Sequence, residues 1–445
     1  MSLAVAIVPI ILMLAIGVVL TLVLSGSVNL SSLGAIRDDS SWATGLHNAA
    51  LLQSALSKNH STVVVDGSYW IGPVAVFHAN DVKLVIKGAL HAVDNQEDWP
   101  SHPFEGHRYQ DVLMFVDSSD LEISGSGTID GQGHSWWNSA IVNSLAKGER
   151  PHLIRLVRTL RVGMFGLTLK DSPMFHVKMD DVLTVRVRFV SIVVDTAAQK
   201  SMLHRLEHFF GDLPTFPLNT DGFDPAGSDI IIQDINVENF DDAVAVKPQG
   251  FWSRYSNCSS NILVERATVK YGVGMTIGSI APSADNACIA NVVFRDIKFV
   301  KPFKAIYIKT NPGDIGHGIV KNITYENILV EEPLWWPVYI GPQQQKQPDG
   351  TGPGCMLYPL DGYCPTQPRV SVSDVVLRNV EIKHALLGPG IVRCDPSNPC
   401  SNFSFENVRV NGLFVLERHF ICENTFVAIH DVVPPLGCKF TAQTL

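Results

Sequence analysis

Six segments in the C-terminal half of the chain share one grammar: 229-DIIIQDINVENF, 261-NILVERATVKYG, 291-NVVFRDIKFVKP, 322-NITYENILVEEP, 374-DVVLRNVEIKHA and 402-NFSFENVRVNG. Each opens on Asn or Asp, alternates apolar residues, passes an Asn, Asp or Arg corner and runs again. Their starts lie 32, 30, 31, 52 and 28 residues apart. The longest step is one period plus an insertion, Gly341 to Arg369. A short-strand period of this length excludes leucine-rich, ankyrin and tetratricopeptide repeats, which need a leucine ladder or helices. A β-propeller needs four strands in blades of roughly 40–50 residues, with signature residues that are absent here. A right-handed parallel β-helix fits: each period is one coil, and coils stack at the strand spacing of roughly 4.8 Å.

The rest of the chain supports this solenoid. Earlier strand-like runs, 62-TVVVDG, 82-VKLVIKG, 113-LMFVDS, 121-LEISGSGTIDG and 153-LIRLVR, are punctuated by Gly, Asn and Asp. One helix is expected, around Gly45 to Ser57, with Leu46, Ala49, Leu52, Ala55 and Leu56 on its apolar face. It would cap the unpaired first coil. Stacked repeats also remove the need for two domains at 445 residues. The expected division is an apolar leader or anchor over 1–27 and one β-helix over 28–445.

Residues Leu3 to Leu24 are uncharged and largely apolar, long enough to cross a bilayer as a tether. The basic start of a signal peptide is missing, although Ser25-Gly26-Ser27 offers small residues for cleavage. Either reading makes the rest of the chain secreted or held outside the cytosol. Eight cysteines agree with export, and the simplest pairing is Cys258–Cys288, Cys355–Cys364, Cys394–Cys400 and Cys422–Cys438. Five sequons, at Asn29, Asn59, Asn257, Asn322 and Asn402, are compatible with glycosylation. A net charge of −9 argues against nucleic acid as a partner. An acidic polysaccharide would need a locally basic groove.

The chemistry concentrates in 219-NTDGFDPAGSDIIIQDINVENFDDAVAVKPQ. Asp221 precedes Asp241 and Asp242 by 20 and 21 residues, close enough to one coil to bring all three together. Neighbouring residues on a strand point to opposite faces, so both Asp241 and Asp242 reach one cleft only at a bend or bulge. Repulsion among three carboxylates should keep one protonated, which supplies an acid beside two bases. Inverting glycoside hydrolysis uses that combination. Ordinary loop aspartates and a calcium site are the alternatives left open by spacing alone.

From about Gly34 to Asn411 the chain resembles the polygalacturonase family, glycoside hydrolase family 28. The resemblance runs in order through 34-GAIRDD, 125-GSGTIDGQGHSWW, 150-RPHLI, 172-SPMFH, 219-NTDGFD, 240-FDDAVAVK, 272-GVGMTIGS and 306-IYIKT. It implies a right-handed β-helix and hydrolysis of pectic chains without metal or cofactor. By position it implies Asp241 as general acid, Asp221 and Asp242 as the pair that activates water, and Lys309 as a contact to a substrate carboxylate. Gly272, Gly274 and Gly278 would form the turn beside the site. Asn219 and, from the preceding coil, His176 complete the expected substrate-binding set with Tyr307.

Two positions depart from the family. Its Gly-His-Gly is Gly272-Val273-Gly274, and its Arg-Ile-Lys is Tyr307-Ile308-Lys309. Losing an arginine removes a bidentate grip on a carboxylate, and Tyr307 offers a ring and a hydroxyl instead. The expected substrate is therefore a neutral, branched or mixed pectic backbone such as rhamnogalacturonan, attacked from its end if 194–219 walls the groove. Gln side chains in 341-GPQQQKQ would bond hydroxyls, and Trp335 and Trp336 would stack on sugars or pack beneath the insertion. The rival readings are a β-helix that binds polysaccharide without cleaving it, and a β-eliminating lyase that uses calcium. A monomer is expected.

Overall fold

The computed structural model describes residues 26–103, 109–141, 149–195, 218–250, 253–280, 286–345 and 354–440. The expected apolar leader or tether, and residues 196–217 of the segment expected to wall the groove, fall outside them.

Parallel strands pair from each coil to the next along the described chain, forming the parallel β-helix that the repeats predict. The strand register keeps like beside like. Ile232, Val264, Phe294, Tyr325, Leu377 and Phe405 stack in one inward column. All six are buried, and the Phe294 and Tyr325 rings stack 4.8 Å apart. Such a column removes apolar area from water at about 25 cal/mol per Å², and it does so at every coil. The hand is the right-handed one that the twist of parallel strands demands.

The Asn and Asp corners turn out to be two ladders. One column holds Asp229, Asn261, Asn291, Asn322, Asp374 and Asn402, with φ between 55° and 57°. Five residues on, Asp234, Arg266, Asp296, Asn327, Asn379 and Asn407 have φ between 53° and 57°. Asn tolerates this left-handed conformation better than other side-chain-bearing residues, and its amide is free to bond the coil below. Asn327 donates to Asp296 at 2.8 Å, Asn379 to Asn327 at 3.0 Å and Asn407 to Asn379 at 3.0 Å. The corner grammar read in the sequence is thus the coil-to-coil bonding pattern itself.

The capping helix runs Trp42–Leu56, three residues earlier than expected at its start. The Ser41 hydroxyl accepts from the Thr44 N–H at 3.3 Å and caps it. Its buried face is Thr44, Gly45, Asn48, Ala49, Leu52, Ala55 and Leu56, while Leu46 is exposed. The helix is rotated because Asn48 is its anchor: the amide bonds both the N–H and the carbonyl of Ile36, and the carbonyl of Trp70. A second helix, His134–Ile141, was not expected, and Trp136 and Trp137 are buried on it.

All four disulfides pair as the spacing suggested: Cys258–Cys288, Cys355–Cys364, Cys394–Cys400 and Cys422–Cys438. Four disulfides place folding in an oxidising compartment outside the cytosol.

Candidate functional site

One sheet of the β-helix carries the strands Phe223–Asn239, Asp242–Val246, Gly274–Ile280 and Ile306–Thr310 on successive coils. Phe223 pairs with Val244, and the Gly222 N–H donates to the Asp242 carbonyl at 2.9 Å. Asp221 and Asp242 are therefore register-equivalent neighbours. The next pairing slips by one residue between Asp242 and Val244. This bulge is the irregularity that lets Asp241 and Asp242 serve one cleft. Oxygens of Asp221, Asp241 and Asp242 all lie within 4.8 Å of one another.

Backbone and amide bonds hold the triad in place. The Asn219 N–H donates to an Asp241 oxygen at 2.9 Å, and the Asp242 N–H to the other at 3.0 Å. Asn239 donates to the carbonyls of Thr220 and Asp242 at 3.0 and 2.8 Å, tying the two carboxylate segments together. The Arg150 guanidinium bonds the carbonyls of Pro173 and Leu218 and the Asn219 side chain. Gly272 has φ 68°, and a Cβ there would meet the Asn239 amide oxygen at 2.5 Å and the Asp241 carbonyl at 2.8 Å. Only glycine permits that turn to close on the acid.

Burial and neighbours then separate the three carboxyls. Asp221 is raised well above the usual carboxylate range by burial and by Asp224, Asp241 and Asp242, with Lys247 opposing. Asp241 is raised by burial and by Asp242. Burial would raise Asp242 as well, but Lys309, Lys247 and the Thr276 hydroxyl together carry it below the ordinary value. Lys309 Nζ lies 2.6 Å from one Asp242 oxygen, and Thr276 donates to the other at 2.5 Å. The triad titrates as a unit, with Asp221 and Asp241 drawn upward and Asp242 downward. It therefore offers an acid and an ionised base side by side.

The open cleft is lined by Phe175, Asn219, Asp221, Asp241, Asp242, Lys247, Ser279, Lys309, Gln343 and Gln345. Of the expected site residues, Asp221, Asp241, Asp242, Lys309 and Asn219 meet there, and so do two glutamines of the 341-GPQQQKQ run. Two others do not line it. His176 is fully buried behind Asp221, with Nδ1 3.0 Å from the Asp221 carbonyl, and burial pushes its pKa down to about 4. Tyr307 is 1% exposed, and its hydroxyl accepts from the Gln344 N–H at 3.4 Å, so it presents no open ring to a sugar. Val273, which replaces the family histidine, packs in the same apolar cluster as Tyr307, Trp336 and Tyr339. The two departures are one change: an apolar wall where the family has polar groups. Trp336 is fully buried in it, beneath Tyr358 and Cys364 of the insertion. The sequence also contains a Gly-His-Gly at Gly316-His317-Gly318, but its histidine is exposed on another strand, His317–Glu331.

Sequence reasoning passed over Asp224 and Lys247. Asp224 is fully buried, and its oxygens have no hydrogen-bond partner, but Lys247 Nζ approaches at 3.3 Å. Lys247 also lies 3.9 Å from Asp221. Both occur within the quoted motifs 219-NTDGFD and 240-FDDAVAVK, so the signal was present but carried no role. Three clustered carboxylates could also ligate a cation. Here the ammonium groups of Lys309 and Lys247 already compensate that charge.

The sequence profile of Glycosyl hydrolases family 28 matches residues 80–430. "Probable exopolygalacturonase C" of Aspergillus terreus is 27% identical over 392 residues, covering 82% of this chain and 81% of its own. "Probable endo-xylogalacturonan hydrolase A" of Aspergillus oryzae is 28% identical over 276 residues, 60% of each chain. Among solved structures, an exopolygalacturonase from Thermotoga maritima superposes with a TM-score of 0.66 at 17% identity, covering 92% of this chain and 91% of that one.

Proposed function

The chain is a glycosidase belonging to glycosyl hydrolases family 28, and on that premise we propose that Asp241 is its general acid and that Asp221 with Asp242 activates water. Three buried carboxyls whose environments push them in opposite directions carry this reading. Asp241, held up by burial, gives its proton to the glycosidic oxygen as the anomeric C–O bond breaks. The water oxygen bonds the anomeric carbon, and its proton passes to the Asp221–Asp242 pair. Asp242 carries the charge for that step because Lys309 holds it ionised. Bulk water then restores the starting protonation.

The proposed substrate is a pectic chain with galacturonate in its backbone, substituted rather than plain. Relatives named for polygalacturonate and for xylogalacturonan support the backbone, and the tyrosine at position 307 supports the substitution. The carboxylate oxygens are closer than the separation of about 6.5–9.5 Å between carboxyl groups that is usual for inverting pairs. The water is therefore assigned to the Asp221–Asp242 pair together, not to a gap between acid and base. Export with residues 3–24 as leader or tether, action from the chain end, and a monomeric state belong to the same proposal.

Reducing-sugar release by the exported domain and its Asp241→Asn variant tests this on polygalacturonate, xylogalacturonan and rhamnogalacturonan, with EDTA present. Asp241-dependent release with an inverted first product by NMR is expected. A retained anomer would remove the inverting assignment, and an ultraviolet-absorbing unsaturated product would identify a lyase. Binding without release from any polymer would favour the non-catalytic reading, which the apolar wall at Val273 and Tyr307 motivates.

A further inference from the structure

Lys309 shares the Tyr307 ring with Lys304, and the two lysines that line the cleft have carboxylates: Lys309 with Asp242 at 2.6 Å and Lys247 with Asp224 at 3.3 Å. Lys304 has none. It precedes the strand Ile306–Thr310 and is 5% exposed. Among the described residues its ammonium makes no hydrogen bond or ion pair, and meets only the rings of Tyr307 at 4.5 Å and Tyr339 at 5.3 Å. Lys309 Nζ lies 5.1 Å from the same Tyr307 ring. A buried ammonium without a counter-ion is costly, and aromatic faces offset only part of that cost. The strain is visible in its basicity: burial and the charge of Lys309 hold the Lys304 pKa down to about 7, with Asp242 and Asp241 opposing.

The missing counter-ion is the informative feature. Lys304 adjoins the cleft through Tyr307, whose ring it shares with Lys309, a residue that lines the cleft. The position three residues later, where the family resemblance places an arginine, holds an uncharged tyrosine. Tyr307 instead carries both ammonium groups against its ring, which sets the positive charge beside position 307, not on it.

We propose that Lys304 binds a carboxylate of the glycan and selects a free uronic acid over its ester at the cleavage site. The inference rests on the reading of the chain as a hydrolase of galacturonate-containing glycans, and names the group that recognises the acid. A carboxylate beside Lys304 supplies the ion pair that the protein leaves open, as a charge-assisted bond shielded from water. A methyl ester or neutral sugar leaves the ammonium buried and unpaired, so discrimination arises from the penalty as much as from the bond. Moving the cation from position 307 to 304 changes where the carboxylate is held, which leaves space for a substituted backbone.

The test measures binding, in the Asp241→Asn background so that nothing is turned over. Calorimetric titration with trigalacturonate and its methyl ester should show the acid bound about ten- to a hundredfold more tightly. Lys304→Met should bring the two within about threefold, and Lys304→Arg should keep the preference. A Lys304→Met protein that retains the full preference, or weakens acid and ester equally, overturns the inference.

A pH series on the protein that keeps Lys304 serves if the methionine variant does not fold. The acid preference should shrink between about pH 6 and pH 8 as the ammonium loses its proton. Of the groups facing it, Tyr307 and Tyr339 stay neutral and Lys309 stays charged over that range, because all three are raised. Asp242, lowered, stays ionised, and the Asp241→Asn background removes the remaining facing carboxyl. A preference constant across that range overturns the proposal. Absence of hydrolysis by the unmutated protein, with the Lys304-dependent preference intact, would refute the hydrolase reading and leave this one standing. Absence of binding to either ligand would overturn this inference and leave the hydrolase reading to the reducing-sugar assay.

Discussion

At the second corner column, Asp296, Asn327, Asn379 and Asn407 repeat nearly one residue type, and each of the three asparagines donates to the residue before it in the column. Across the cleft sheet, register-equivalent positions read Arg155, Lys178, Asp224, Ala245, Thr276, Tyr307, Tyr339 and Ile391, with hardly a repeat. The corners are exposed, and from Asp296 to Asn407 successive coils solve the same bonding problem with the same amide. On the cleft face, charges are buried, and those that are paired have different partners: Lys309 with Asp242, Lys247 with Asp224. Repetition builds the solenoid, and the stretch where repetition fails builds the site.

The contrast can be broken from the cleft side first. Asp241→Asn should lower turnover by about 10²–10⁴-fold, the usual share of a general acid, while the fold stays intact. Initial rates with a circular-dichroism melt check both halves of that statement. Lys309→Met should cost about 3–5 kcal/mol of stability as well as activity, since it strands the buried Asp242 carboxylate. A urea titration that finds no loss would mean Asp242 is protonated in the folded state.

Asp221→Asn should have the opposite sign. The folded pKa of Asp221 is raised above its unfolded value, so its contribution to stability is greatest below about pH 4 and declines as pH climbs toward the folded pKa. The asparagine variant should be about 1–3 kcal/mol more stable than the parent at pH 7, converging with it in acid. Denaturation midpoints at both pH values decide it. The smallest effect belongs to the ladder: Asn407→Ala removes one exposed bond and should cost about 0.5–1.5 kcal/mol, with turnover unaltered. A large loss of activity there would show that corners and cleft are coupled.

Much of this was legible before any coordinates. The period and its Asn corners dictated a parallel solenoid because only stacked coils satisfy both the inward apolar columns and the corner amides. Close cysteine pairs predicted their own partners because short loops leave few alternatives. The three aspartates were found because their spacing approximates one short coil, 21 residues between Phe223 and Val244. The phase of the capping helix was misjudged at Leu46, because the buried amide of Asn48 outweighs an exposed leucine. Tyr307 and His176 were assigned to the substrate from their place in motifs, and motifs do not report depth.

What the sequence determined by itself, then, is the coil, the disulfide framework and which carboxylates gather, all consequences of spacing along one chain. Only the tertiary structure decided which of those carboxyls is drawn upward and which downward, that Lys309 pairs with Asp242, that Tyr307 is a wall and that Lys304 stands without a counter-ion. Those outcomes depend on burial and on distances between residues up to 67 positions apart. Electrostatic energy in a low-dielectric cleft changes steeply over a few ångström, a scale that residue order alone does not encode.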